Sequence, residues 1–188
     1  MAKKLKWNSD KIMSLSAVVI SLATLISLVY QARIMREHEM KSAFPKLELW
    51  NNWNRDSYEL ELINTGVGPA IIENVQVEYE DSIYNMDQAN FTYFYLENIK
   101  GIKDQQFGHS NIMSGRIIQN GQRVKLIHTN RKDTISDDAV EELWRRGKAK
   151  IILKYSSVYE QHWVLEGTGE FPKRIDEKPK VIESFLGD

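Results

Sequence analysis

The pattern of hydrophobic and polar positions divides the chain near residue 30. Nineteen residues without a charge run from Ile12 to Tyr30, and apolar and polar positions alternate after Pro45. As an α-helix, the uncharged segment would be about 28 Å long, close to the ~30 Å hydrocarbon core of a bilayer. We therefore predict a transmembrane helix over residues 12–30 and a β-rich domain over residues 45–171.

Two other interpretations of the apolar segment were weighed. The basic leader, residues 1–11 with four lysines, is also typical of a cleaved signal peptide. The apolar run is longer than such a peptide needs, however, and residues 31–34 offer no small-x-small cleavage site. A buried helix of a globular domain rarely stays uncharged over this length. An uncleaved membrane anchor is favoured.

One face of the predicted membrane helix carries small and hydroxyl side chains: Ser14, Ala17, Ser21 and Thr24. Such residues let two helices approach closely in lipid, so this face is predicted to mediate self-association or to dock on a partner helix. The alternative is that the hydroxyls bond back to carbonyls of their own helix.

Residues 31–44 are rich in helix formers and in charge, and they predict a juxtamembrane continuation of the helix that ends before Pro45. Four lysines precede the apolar span, whereas Arg33, Arg36 and Lys41 follow it. This small excess places the amino terminus inside and the domain outside the cytoplasm.

Within the domain, Tyr58, Leu60 and Leu62 alternate with polar residues, and so do Val75, Val77 and Tyr79. The two predicted strands are separated by Asn-Thr-Gly-Val-Gly-Pro-Ala, in which a structural turn with special backbone angles is expected; its key residues are Asn64, Gly66, Gly68 and Pro69. A phosphate-binding glycine loop would need a following helix, and a strand pattern follows instead.

This segment, with the later sequence from Tyr155 to Trp163, resembles a group of uncharacterised bacterial membrane-anchored proteins. Their shared features are one N-terminal transmembrane helix, a short charged helix and a bacterial immunoglobulin-like sandwich with an Asn-Thr-Gly-x-Gly-Pro-Ala turn. The resemblance implies an architecture and brings no activity with it.

Several further elements follow from local signals. Asn120-Gly121 indicates a hairpin between residues 116–118 and 124–128. A helix is predicted over residues 137–146, capped by Ser136 and ended by Gly147, with Val140, Leu143 and Trp144 on its buried face.

Residues 150–157 and 161–167 predict a second hairpin, and residues 172–188 a loosely held charged tail. The aromatic segment 87–99 can be a helix, a strand or a loop; burial in the core is favoured over an exposed partner surface. Together the elements predict a mainly β fold: a transmembrane helix plus an immunoglobulin-like sandwich with one short inserted helix. A small, partly open barrel is the alternative.

Composition narrows the function classes. With 25 basic and 26 acidic residues the chain lacks the basic field of a nucleic-acid binder, so no nucleic-acid partner is expected. The absence of cysteine removes disulfides, thiolate metal sites and cysteine nucleophiles.

No sequence motif indicates catalysis. His128 and His162 lie on predicted strands and can form a metal site only if the fold brings them together with Glu160 or Glu166. Trp50 and Trp53 are candidates for stacking on sugars or for the membrane interface, whereas Trp163 is expected in the core. No catalytic residue, cofactor or metal is predicted.

The sequence therefore predicts a membrane-bound interaction module without catalytic activity, whose partners are the lipid bilayer and a protein. The alternatives are a metal-dependent enzyme or ligand sensor, and an accessory subunit of a larger membrane complex.

Overall fold

A computed structural model describes residues 8–53, 57–103, 107–130 and 135–175. The chain divides into two units, residues 1–42 and 43–188. Most of the basic leader lies outside the described residues, as do residues 176–188 and the capping side chain predicted for Ser136.

The first unit contains helix α1 (Ser9–Ser42), 34 residues without a break. It is long and apolar enough to span a membrane, a property that a signal sequence near the N-terminus shares. Residues 31–42 continue the same helix for about 18 Å beyond the apolar run. The uncharged segment and the charged segment are thus one continuous element.

The second unit consists of two antiparallel sheets and three helical segments. Its strands are, in chain order, β1 (Leu47–Trp53), β2 (Ser57–Asn64), β3 (Ala70–Tyr79), β4 (Ser82–Tyr84), β5 (Gly108–His109), β6 (Ile117–Ile118), β7 (Arg123–Asn130), β8 (Ala149–Ser156), β9 (His162–Glu166) and β10 (Lys173–Ile175). The helical segments are α2 (Gln88–Phe94), a π-helical turn (Tyr95–Ile99) and α3 (Ile135–Trp144).

The first sheet has the strand order β1-β2-β7-β5, and the second the order β10-β9-β8-β3-β4, with β6 also pairing with β3. One hydrophobic core contains residues from both sheets, among them Leu60, Leu126, Val77 and Leu153, all at most 1% exposed. Two sheets around a common core are consistent with the predicted sandwich.

Helix α3 confirms the expected amphipathic pattern. Val140, Leu143 and Trp144 are buried, and Gly147 follows the helix with φ +70°, a backbone angle that favours glycine. The indole Nε1 of Trp144 donates to Thr92 Oγ1 at 2.9 Å, which joins α3 to α2. The strand pair β8–β9 and the burial of Trp163 are also as predicted.

The expectation of one inserted helix is wrong, because residues 88–99 form α2 and the π-helical turn. These segments bury Phe91, Tyr95 and Leu96, and the ring centroids of Phe91 and Trp144 lie 6.3 Å apart. The aromatic segment therefore belongs to the core, as favoured from the sequence.

The hairpin predicted at Asn120-Gly121 is also wrong. The turn itself is present: Gly121 has φ +71°, and Gln122 N donates to Gln119 O at 3.0 Å. Its flanking strands belong to different sheets, however, because β6 pairs with β3 and β7 pairs with β2. The turn carries the chain from one sheet to the other.

The tail begins later than predicted. Strand β10 pairs with β9, so residues 173–175 extend the second sheet instead of lying loosely beyond it.

The side chain of Asn64 joins the segments at one end of the domain. It is fully buried; its Oδ1 accepts from Lys46 N (3.2 Å) and Gly66 N (3.0 Å), and its Nδ2 donates to Gly68 O (2.8 Å) and Ile118 O (3.0 Å). All of its usual hydrogen-bonding capacity is used. The side chain of Asn64 thereby connects the start of β1, the turn that follows β2, and strand β6.

The two glycines of this turn have a different role from the one predicted. Neither has a φ in the left-handed region, so the expectation of special backbone angles is wrong. Instead, a Cβ on Gly66 would overlap the backbone of Phe44 and Lys46, and a Cβ on Gly68 would overlap Ala43. Residues 43–46 pass so close to the turn that only glycine fits.

We predict that Asn64→Ala lowers the free energy of unfolding by about 3 kcal/mol or more, because it leaves buried backbone donors and acceptors without partners. Urea unfolding of the full chain in detergent, followed by tryptophan fluorescence, measures the loss. Asn111→Ala is the control, since Asn111 is exposed and its side chain makes no hydrogen bond with another described residue. Equal losses in both variants would contradict the role given to Asn64.

A second prediction concerns acid stability. Hydrogen bonds from the ammonium groups of Lys148 and Lys100 lower the pKa of Glu142 from 4.5 to about 2. A lowered folded-state pKa stabilises the fold above the unfolded value, and this contribution is lost as the pH falls from 4.5 towards 2. In Glu142→Gln, the urea midpoint should fall less steeply across that window than in the unchanged chain. Glu97→Gln, at an exposed glutamate without an ion pair in the described residues, should keep the original slope.

Candidate functional site

Strand β1 forms an open edge of the first sheet, because among the described residues it pairs only with β2. Thr65 N donates to Lys46 O at 2.8 Å, and in an antiparallel pair the bonded residues alternate. Glu48, Trp50 and Asn52 therefore direct their backbone groups towards β2. The N–H and C=O groups of Leu49 and Asn51 point the other way, away from the sheet.

The hydrogen bond of Leu47 agrees with this alternation. Leu47 N points away from β2 and donates to the hydroxyl of Tyr155 at 3.4 Å. Neither Leu49 nor Asn51 has such a backbone partner in the described part of the chain. Two successive outward positions of β1 are thus unpaired.

Leu49 and Asn51 line a cavity of about 450 Å³, bounded by residues 48–51 on one side and by residues 168–171 on the other. We call it the β1 groove. Asn51 Nδ2 donates across it to Thr168 Oγ1 at 3.3 Å, and Asn51 Oδ1 accepts from the hydroxyl of Tyr58 at 2.7 Å. A second cavity of about 300 Å³ adjoins it and shares Leu49, Thr168 and Glu170.

Two exposed aromatic side chains line the β1 groove. Trp50 is 48% exposed and Phe171 is 73% exposed. The indole Nε1 of Trp50 donates to Glu48 Oε2 at 3.0 Å, which restrains the ring. The ammonium of Lys46 lies 5.1 Å from the centre of the Phe171 ring. Exposed aromatic rings beside unpaired backbone groups are typical of a binding surface.

The β1 groove carries two carboxylates, those of Glu48, which pairs with Lys46, and of Glu170. A hydrogen bond from the Lys46 ammonium, 2.6 Å from Glu48 Oε1, lowers the pKa of Glu48, and bonds from Trp50 and Thr65 act in the same direction against partial burial. Glu48 is therefore held in its ionised form. Glu170 adds a second carboxylate, which has no ion-pair partner among the described residues.

The small face predicted on α1 is exposed, and its hydroxyls bond within the helix. Ser14 Oγ donates to Lys11 O at 3.1 Å, Ser21 Oγ to Ala17 O at 2.8 Å and Thr24 Oγ1 to Ile20 O at 2.8 Å. This satisfies the hydroxyls locally while the side chains and Ala17 remain available to a neighbouring helix. Association through this face stays a prediction.

The histidines do not form the arrangement that a metal site would need. His128 lies in the first sheet, against Gly108 of β5. His162 lies in the second sheet, where its Nδ1 is 2.9 Å from Glu73 Oε1. Within the described ranges, no group of three or more His, Asp or Glu side chains can hold a metal ion.

The two exposed tryptophans differ in their surroundings. Trp53 is 57% exposed and lies under the guanidinium of Arg145, at 5.0 Å, whereas Trp50 lines the β1 groove. No motif in the sequence marks the other residues of the groove as site residues: Leu49, Asn51, Thr168, Glu170 and Phe171. The Gly-Thr-Gly sequence at 167–169 marks a turn, but nothing in it shows that the turn lies opposite β1.

Comparisons of the chain with protein-family models, with curated proteins and with solved structures found no match.

The backbone geometry of β1 leads to a third prediction. The amides of Glu48 and Trp50, bonded to β2, should exchange with deuterium roughly a hundredfold more slowly than those of Leu49 and Asn51. Residue-resolved hydrogen exchange on the full chain in detergent measures this difference. The reverse order, with Leu49 and Asn51 protected, would mean that the strand pairs through its other edge and that the β1 groove carries no free donors.

Proposed function

We propose that this protein is a single-pass membrane-anchored module whose domain binds a protein partner at the β1 groove and catalyses no reaction. The observation that carries the proposal is the pair of unpaired backbone positions, Leu49 and Asn51, beside the exposed rings of Trp50 and Phe171. Backbone groups that repeat along a strand are suited to bind another polypeptide.

Membrane anchoring is supported by α1, which is continuous, apolar over residues 12–30 and without a buried residue. A helix satisfies all of its backbone groups internally, as a hydrocarbon environment requires. The surplus of basic residues before the apolar span supports a domain outside the cytoplasm. We infer a cell-membrane protein held by one uncleaved helix.

An immunoglobulin-like arrangement is supported by the strand order. Immunoglobulin sandwiches have the order A-B-E-D in one sheet and G-F-C in the other, extended in variable domains by C′. Assigning β1, β2, β3 and β4 to A, B, C and C′ matches this order if β5 is D, β7 is E, β8 is F and β9 is G. The order agrees with the resemblance to bacterial membrane-anchored sandwich proteins.

The proposal predicts a protein partner whose binding depends on the β1 groove. The full chain is isolated from its native membranes in mild detergent, and co-isolated proteins are quantified by mass spectrometry. We expect a near-stoichiometric partner that is lost from a Trp50→Ala, Phe171→Ala double variant, because these two side chains are the exposed aromatic rings that line the groove.

Two controls distinguish binding at the β1 groove from contacts made by other surfaces of the chain. Ile83→Ala removes an equally exposed apolar side chain from β4, in the other sheet, and should keep the partner. Replacing Ser14, Ser21 and Thr24 with leucine should reduce cross-linking between copies of α1 without affecting a partner of the domain. A chain that emerges alone from every preparation would contradict the proposed function.

A further inference from the structure

We propose that the partner is an extended, basic peptide segment that enters the β1 groove and adds to the first sheet as a strand beside β1. This inference rests on the proposed function, and it specifies the chemistry of the partner and its mode of binding.

The first argument is the hydrogen-bonding pattern. The free N–H and C=O groups of Leu49 and Asn51 are two residues apart, which is the repeat by which one strand recognises another. Residues 168–171 form the opposite wall, so a peptide in the β1 groove would be held between this wall and β1. A saccharide can stack on Trp50, but it would not use this backbone repeat.

The second argument is charge. The side chains lining the β1 groove include the carboxylates of Glu48 and Glu170. The ammonium of Lys46 pairs with Glu48 at 2.6 Å, whereas Glu170 has no ion-pair partner among the described residues. The adjoining cavity adds Glu78, Lys150 and Glu166, of which Glu166 pairs with Lys173 at 3.1 Å. A peptide with lysine or arginine would complement this surface, and a cationic side chain over the exposed Trp50 ring would gain further attraction.

A second copy of the chain complements this charge less well than a basic peptide. The only charged residue of β1 is Glu48, and Lys46 already pairs with it, so a second β1 strand would bring no excess positive charge to Glu170. A foreign basic strand satisfies both the backbone groups and the charge.

The test uses the full chain in lipid nanodiscs and a short synthetic peptide of alternating lysine and valine residues. Saturating peptide should slow hydrogen exchange at the amides of Leu49 and Asn51 by about tenfold or more, since each amide gains a hydrogen bond. A peptide of alternating glutamate and valine should bind at least about tenfold more weakly.

A pair of variants at one position isolates the backbone contribution. Asn51→Ala and Asn51→Pro both remove the side-chain bonds to Tyr58 and Thr168, but only proline also removes the outward N–H. Proline is tolerated on an edge strand where the N–H faces solvent. We expect Asn51→Pro to bind the lysine peptide about tenfold more weakly than Asn51→Ala.

Several results would overturn the inference. They are unchanged exchange at Leu49 and Asn51 under saturating peptide, equal binding by two well-folded Asn51 variants, and equal affinity for the lysine and glutamate peptides. An oligosaccharide that quenches Trp50 fluorescence while the lysine peptide protects neither amide would also overturn it. If Asn51→Pro fails to fold, the exchange measurement on the unchanged chain decides.

Failure of this inference can be distinguished from failure of the proposed function. A native partner that is lost with the Trp50 and Phe171 double variant but binds equally to both Asn51 variants would retain the interaction module and exclude strand addition. The absence of any native partner would instead remove the proposed function itself.

Discussion

The close passage of residues 43–46 against the turn that follows β2 is the constraint on which the site depends. The buried side chain of Asn64 bonds to both segments, and Gly66 and Gly68 leave the space for the approaching backbone. The bond from Thr65 N to Lys46 O then determines which residues of β1 face β2. A shift of one residue here would turn the backbone groups of Leu49 and Asn51 into the sheet, and the open edge of the β1 groove would present different residues.

The sequence predicted those features that depend on local patterning. Each of these features is encoded in one continuous stretch of sequence. They are the uncharged run of α1, the alternation of β2 and β3, the amphipathic α3 and the β8–β9 hairpin. The partner strands of β6 and β7 could not be predicted in this way. Asn120-Gly121 indicates that the chain reverses its direction, but it does not indicate which strand each flanking segment pairs with. The glycines at 66 and 68 suggest unusual backbone angles when the sequence is considered alone. Glycine is in fact required there because the backbone of residues 43–46, some twenty positions earlier in the chain, passes close to both.

The candidate site could not be predicted from the sequence, for a related reason. Alternation shows that β1 is a strand, but its position at the edge follows only from the order of strands in the sheet. The other wall of the β1 groove comes from the connection between β9 and β10, more than a hundred residues away in the chain. His128 and His162 illustrate the opposite case. Both lie on predicted strands and could therefore meet, but the strand order puts them in different sheets.

An open edge strand exposes a protein to unwanted pairing with other chains, and β1 carries features that limit this risk. Residues 168–171 restrict access to one side of the strand, and Glu170 adds a carboxylate without an ion-pair partner among the described residues. Charge and cover are devices by which natural edge strands avoid pairing. In the proposed binding mode, the remaining opening would accept an extended, basic segment. An edge that merely avoided aggregation would not need exposed Trp50 and Phe171, since exposed aromatic area works against solubility. The combination of a partly covered edge and exposed rings therefore fits the proposed binding of a partner strand better than avoidance of pairing alone.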